Sequence, residues 1–152
     1  MNKGIYKASV CYKDLKDMIN CVAKDFKDEN VFKYNKDGRK VEITFNRFKK
    51  DIDAFGEYLF SKGYKDKKIA VLGENSYEWI VTYFAVVNGG NVIIPIDKEL
   101  KPNEILALLK SSETDLLVYS EQKKKAVNEM LENGLSCEIL STDEIEHCCA
   151  VG

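Results

Sequence analysis

Five cysteines and a single histidine are the side chains of this sequence that could ligate a soft metal or act as nucleophiles: Cys11, Cys21, Cys137, Cys148, Cys149 and His147. Their spacing organises them for neither task. No cysteine pair has C-x-x-C spacing, and the run His147-Cys148-Cys149 lacks the paired ligand spacing of a zinc site. With its only histidine close to the C-terminus and no G-x-S-x-G elbow, the chain assembles no Ser-His-Asp set. No catalytic and no metal-ligating residue is assigned. An odd cysteine count without a pairing pattern fits reduced thiols and a cytoplasmic setting better than a secreted disulfide framework.

Phosphate chemistry has no standard cradle either. The sequence contains neither G-x-G-x-x-G nor G-x-x-x-x-G-K-[ST]. Gly73 follows an apolar run alone, and Gly89-Gly90 falls between a helical stretch and the next apolar run, the wrong end for a phosphate at a helix N-terminus. The formal net charge of -2 excludes a strongly basic nucleic-acid or membrane-surface binder as the leading idea. Met1 to Lys16 lacks the apolar core of a signal peptide. Trp79 to Ile96 carries no formal charge and approaches the length of a membrane span, but Asn88, Gly89, Gly90, Asn91 and Pro95 break it. It is expected to be a helix, a turn and a buried strand.

The elements that must position any site are legible from periodicity. Leu15, Ile19, Val22 and Phe26 recur at spacings of three and four and predict a helix over Tyr12 to Glu29. Val31 to Tyr34 and Val41 to Ile43 flank Asn35-Lys36-Asp37-Gly38, a hairpin pattern. Thr44 is a good N-cap for a helix whose stripe is Phe45, Phe48, Ile52, Phe55 and Leu59, and Gly63 ends it. From Lys68 onward short apolar runs alternate with helical patterns. Strands are expected at Ile69–Leu72, Val92–Ile94, Leu116–Tyr119 and Cys137–Leu140. Between them come a helix capped by Asn75, one opening at Pro102 with Ile105, Leu108 and Leu109 on its face, and one from Lys123 to Asn133 ended by Gly134. Lys123-Lys124-Lys125 is expected to be a solvated helix face. The fold class is therefore α/β, a parallel sheet with helical crossovers preceded by an N-terminal helix and a β-hairpin. One partial domain over 1–152 divides into a helix region (1–30), the hairpin (31–43), the α/β segment (44–141) and a frayed end (142–152).

Three segments carry a resemblance. Thr44-Phe45-Asn46-Arg47-Phe48 resembles the T-Y-x-E-L segment near the start of adenylate-forming (AMP-binding) enzymes, the acyl-CoA synthetases, luciferases and amino-acid adenylation domains. Asn75-Ser76-Tyr77-Glu78-Trp79 is similar to their N-S-x-E-W helix start, and Val87 to Asp97 to their L-K-A-G-x-x-x-V-P-L-D segment. The matches fall in the family's order and extend over roughly Leu15 to Leu131. Arg47 departs from the pattern, which has an acid there; the position is expected on the solvent side of its helix.

Glu74 to Trp79 together with Pro95 to Leu100 most resembles long-chain fatty acyl-CoA ligases. That resemblance implies attack of a fatty acid or other carboxylate on the α-phosphate of ATP, with Mg2+, followed by transfer of the acyl group to coenzyme A. It also implies that the chain is an N-terminal piece of the large domain. The family's Ser/Thr/Gly-rich, lysine-ended phosphate loop is expected after Gly152, so these 152 residues alone are expected to be inactive. In the CoA-ligase branch the turn after the P-L-D-like segment lies near the CoA entrance. Ile96, Asp97 and Lys98 match that turn, although Pro95 and Asp97 also serve simply to end a strand and shape a loop. Trp79 is expected to serve core or helix packing rather than line an acyl tunnel. An amino-acid adenylation domain is the nearest enzymatic alternative. A flavodoxin-like or receiver-like binding module is the non-enzymatic one, although a receiver's paired acids are not supplied by Lys68 to Glu74. Sheet edges left open in such a piece imply self-association.

Overall fold

The computed structural model describes residues 11–145. His147, Cys148 and Cys149 lie outside the described residues.

The first helix, α1 (Leu15–Asp25), is shorter than expected at both ends: Asp14 caps its start, its carboxylate accepting the Asp17 N–H at 2.7 Å, and Phe26 is its C-cap. Ile19 and Ala23 face inward. Strands β1 (Asn30–Lys36) and β2 (Arg39–Thr44) pair antiparallel, with Lys36 opposite Arg39. Only Asp37 and Gly38 turn the chain, both with positive φ, as a two-residue turn matched to strand twist requires. Helix α2 (Phe45–Ser61) starts at Thr44, whose hydroxyl accepts the Arg47 N–H at 3.2 Å. Phe48, Ile52, Phe55 and Leu59 form its buried stripe. The α2 helix ends before Gly63, whose φ of 87° is the left-handed value that favours glycine.

The second layer is a four-stranded parallel sheet of β3 (Lys68–Leu72), β4 (Val92–Ile96), β5 (Leu116–Tyr119) and β6 (Glu138–Ser141), in the order β4-β3-β5-β6. Helix α3 (Tyr77–Asn88) links β3 to β4, α4 (Pro102–Ser111) links β4 to β5, and α5 (Lys124–Glu132) links β5 to β6 after a 3-10 turn over Glu121–Lys123. The chain moves one way from β3 to β4 and the other way from β4 to β6, so crossovers of one hand must use both faces of the sheet. Alternation along the strands agrees. Ile69, Leu116, Val118 and Leu140 pack with α2 and α3, while Ala70, Leu72, Leu117 and Tyr119 pack with α4 and α5.

Four local expectations need correction. Ser76, not Asn75, caps α3, its hydroxyl accepting the Trp79 N–H at 3.1 Å. Leu106 is buried on α4 and Leu108 is exposed, because spacings of three and four define two adjacent stripes and the sheet selects one. Lys124 and Lys125 are exposed, but Lys123 precedes α5 and is tied down. Residues 142–145 are helical with Thr142 and Ile145 buried, where a loose end was expected. No helix among the described residues is long and apolar enough to cross a membrane; Trp79 to Ile96 is α3, a Gly-Gly turn and β4.

Candidate functional site

A doubly wound parallel sheet offers ligands one characteristic place, the carboxyl ends of the strands where the chain reverses direction. Here that point lies between β3 and β5. Leu72 O accepts the Ser120 N–H at 3.0 Å, and Gly73 follows directly. A Cβ on Gly73 would stand 2.9 Å from the Ser120 Cβ, so the close approach requires glycine. The Ser120 hydroxyl is buried without a hydrogen-bond partner among the described residues.

Charged side chains converge beside this point. Ile96 ends β4 and is buried. Asp97 is exposed, and its carboxylate accepts the Glu99 N–H at 2.9 Å, an Asx turn that redirects the chain. Lys98 Nζ donates to Glu74 Oε2 at 2.6 Å, joining the loop after β4 to the loop after β3. Lys123, from the 3-10 turn after β5, donates to the Lys98 carbonyl at 2.8 Å and places Nζ 3.6 Å from Glu74 Oε1. Both Glu74 oxygens thus face an ammonium. The hydrogen bond from Lys98 holds the Glu74 carboxyl below its usual range, and the same bond raises the Lys98 ammonium above its own. Further along, Glu121 accepts from Ser141 Oγ at 2.8 Å and from Lys124 Nζ at 3.1 Å, closing the edge across β5 and β6.

The same edge opens into a groove of about 520 Å³ between the hairpin and the start of α3, lined by Phe32, Tyr34, Lys36, Asn75, Tyr77 and Gln122. Lys36 Nζ bonds Glu78 Oε1 at 3.1 Å and ties the hairpin to α3. Behind it the buried carboxylate of Asp51 accepts from Arg47 Nε at 2.8 and 2.9 Å and from the Tyr77 hydroxyl at 2.7 Å. Arg47 is therefore half exposed, as expected, but its guanidinium has a specific partner one turn on. Trp79 is half-buried and stacks on Tyr83 with centroids 5.8 Å apart, beside the core rather than in it.

Ile96, Asp97 and Lys98 thus lie together at the carboxyl edge. Sequence reasoning missed Glu74 and Lys123 as their partners, because strand order brings them together. Among the described residues no group of three His, Cys, Asp or Glu could hold a metal ion. The edge carries two ammonium groups, both turned toward Glu74, and no glycine-rich cradle for the phosphates of ATP.

The fold and this edge define a doubly wound α/β module. Its sequence matches the family model of AMP-binding enzymes over residues 19–148, and the chain belongs to that family. It is 29% identical over 90 residues to YdaB of Bacillus subtilis (strain 168), provisionally assigned as an acyl-CoA ligase, a stretch that covers 59% of this chain and 18% of that protein. It is 26% identical over 80 residues to the D-alanine–D-alanyl carrier protein ligase of Streptococcus pyogenes serotype M5 (strain Manfredo), covering 52% of this chain and 16% of that protein. Among solved structures, the N-terminal domain of FACL13 from Mycobacterium tuberculosis superposes with a TM-score of 0.81 at 17% identity, covering 91% of this chain and 36% of that one. The anthranilate CoA ligase AuaEII, in complex with anthranoyl-AMP, gives 0.78 at 17% identity over 94% of this chain and 28% of that one. These structures share the fold. The matched stretches span less than a fifth of the curated relatives' lengths.

Proposed function

We propose that these residues form the N-terminal part of the large domain of an ATP-dependent acyl-CoA ligase, a single partial domain in which the hairpin and the sheet present the carboxyl edge to ligand. In the whole protein a carboxylate oxygen attacks the α-phosphorus of ATP, pyrophosphate leaves, and an acyl-adenylate forms with Mg2+ offsetting the phosphate charge. The coenzyme A thiolate then attacks the acyl carbon and AMP leaves. A fatty acid is the proposed carboxylate and the cytoplasm the proposed setting. Ile96, Asp97 and Lys98 are placed at the CoA entrance, where the Lys98 ammonium meets a phosphate.

The observation that carries the reading is the family match over residues 19–148. The likeness to a protein assigned as an acyl-CoA ligase supports the CoA branch. The comparable likeness to a D-alanine–D-alanyl carrier protein ligase favours a second reading, amino-acid activation for transfer to a carrier protein. The two part on one experiment. The complete natural protein bearing these residues is incubated with ATP, Mg2+, CoA and a panel of fatty acids, aromatic acids and D-alanine, and thioester products are identified by mass spectrometry. Fatty acyl-CoA supports the first reading. D-alanyl-adenylate and pyrophosphate formed without a CoA thioester support the second.

A further inference from the structure

Glu74 holds its carboxylate between two ammonium groups. Lys98 comes from the end of β4 and Lys123 from the turn after β5, yet both ammonium groups approach opposite oxygens of one carboxylate that follows β3. Lys123 is also fixed from behind by its bond to the Lys98 carbonyl. The side chains keep part of their surface open, at 41% for Lys98, 29% for Glu74 and 21% for Lys123, so the cluster is shielded but reachable. Two cations against one carboxylate leave the three groups with a net positive charge. Two further acids bear on Lys98 from more exposed positions: Glu99 stands 3.9 Å away and is 79% exposed, and Asp97 is exposed and accepts the Glu99 N–H. Gly73, next to Glu74 in the chain, packs against Ser120, whose hydroxyl has no hydrogen-bond partner among the described residues, on the β3/β5 side where the sheet's topology places ligands.

We propose that Lys98 and Lys123 form a binding site for a phosphate group, and that Glu74 occupies it as an internal competitor until that group arrives. A phosphate offers oxygens in a similar spacing with more charge, so it displaces the carboxylate from between the lysines. Glu74 keeps the two ammoniums apart and ordered when no ligand is present, and its displacement sets the threshold for binding. Coenzyme A and pyrophosphate share the necessary chemistry. The site deepens the reading of Lys98 as a CoA-facing residue and rests on it only for the CoA arm of the test; the pyrophosphate arm stands on the edge geometry.

The test is calorimetric titration of the 152-residue chain with sodium pyrophosphate, coenzyme A and dephospho-coenzyme A at low and moderate salt. Glu74→Gln is expected to bind pyrophosphate about two- to fivefold more tightly than the wild type, the size expected when a partly exposed ion pair no longer competes. Glu74→Asp is expected to return the affinity toward wild type, and Lys98→Ala or Lys123→Met to weaken it and flatten the salt dependence. Affinity lost on removing the 3′-phosphate of CoA assigns the site to CoA; equal affinity for both CoA forms with strong pyrophosphate binding assigns it to a diphosphate. Unchanged or weaker binding by Glu74→Gln overturns the competitor. Should that variant not fold, the side-chain ammonium resonances of wild-type Lys98 and Lys123 decide: both shift on adding pyrophosphate if the site exists, and neither moves if it does not. Failure of these tests removes the site and leaves the carboxylate-activation reading to its own assay.

Discussion

The Tyr77 hydroxyl, from the first turn of α3, donates to the buried carboxylate of Asp51 on α2 at 2.7 Å. Arg47 completes the arrangement from the preceding turn of α2. Asp51→Ala removes the buried acceptor that Arg47 and Tyr77 share and should destabilise by about 1–3 kcal/mol. Tyr77→Phe leaves the carboxylate with Arg47 and should lose about 0.5–1.5 kcal/mol. Urea titration of both variants checks the order; equal stability of Asp51→Ala and wild type would show that this contact is dispensable.

The start of α3 discriminates between two adjacent residues. Ser76→Ala removes the cap bond to the Trp79 N–H and should lose about 0.5–2 kcal/mol. Asn75→Ala, one residue before the cap, should lose clearly less. The reverse order in thermal melts would restore Asn75 as the cap.

The same pair of residues shows where the sequence was readable. Asn and Ser are nearly equal as caps, so sequence alone places the start of α3 within one residue and no closer. The strands were easier, since Ile69–Leu72 and Leu116–Tyr119 are unbroken apolar runs that only a sheet covered on both faces accommodates. Gly63 and Gly134, both at positive φ, ended their helices as expected. Ile96, Asp97 and Lys98 were singled out only because their segment resembles a family motif. Their partners could not be found in the same way. Glu74 and Lys98 are 24 residues apart, and they meet because β4 lies beside β3 in the sheet. Lys123 reaches Lys98 from a turn reached only after the chain has crossed back over β3. Pairings set by strand order leave no local trace in a sequence.

Acid should weaken the fold at identifiable places. The Lys68 backbone N–H, 2.8 Å from Asp115, holds that carboxyl below its usual range, with help from Lys67. Bonds from Ser141 and then Lys124 do the same for Glu121. A carboxyl lowered in the folded state contributes stability above its unfolded pKa and loses it as pH falls through the folded one. Stability should therefore decline below roughly pH 4, where free carboxylates begin to protonate. Asp115→Asn should flatten that decline in urea titrations at pH 7 and pH 3. An unchanged pH slope would show that Asp115 is not one of the groups responsible.

Both outer strands invite association. Among the described residues β4 and β6 are each paired on one side only, and Val92 and Ile139 on them are exposed. Phe60 on α2 is 68% exposed. The 152-residue chain should gain mass with concentration in light scattering and bind a hydrophobic dye. Ile139→Lys should reduce the association. A monomer at every concentration with little dye binding would contradict the prediction.

Carboxylate-dependent exchange of radiolabelled pyrophosphate into ATP tests the central claim most directly. The complete natural protein bearing these residues should exchange label when given a fatty acid and Mg2+, and the 152 residues by themselves should not. Absence of exchange with every fatty, aromatic and amino acid supplied, or full exchange by the 152-residue chain alone, would contradict the account.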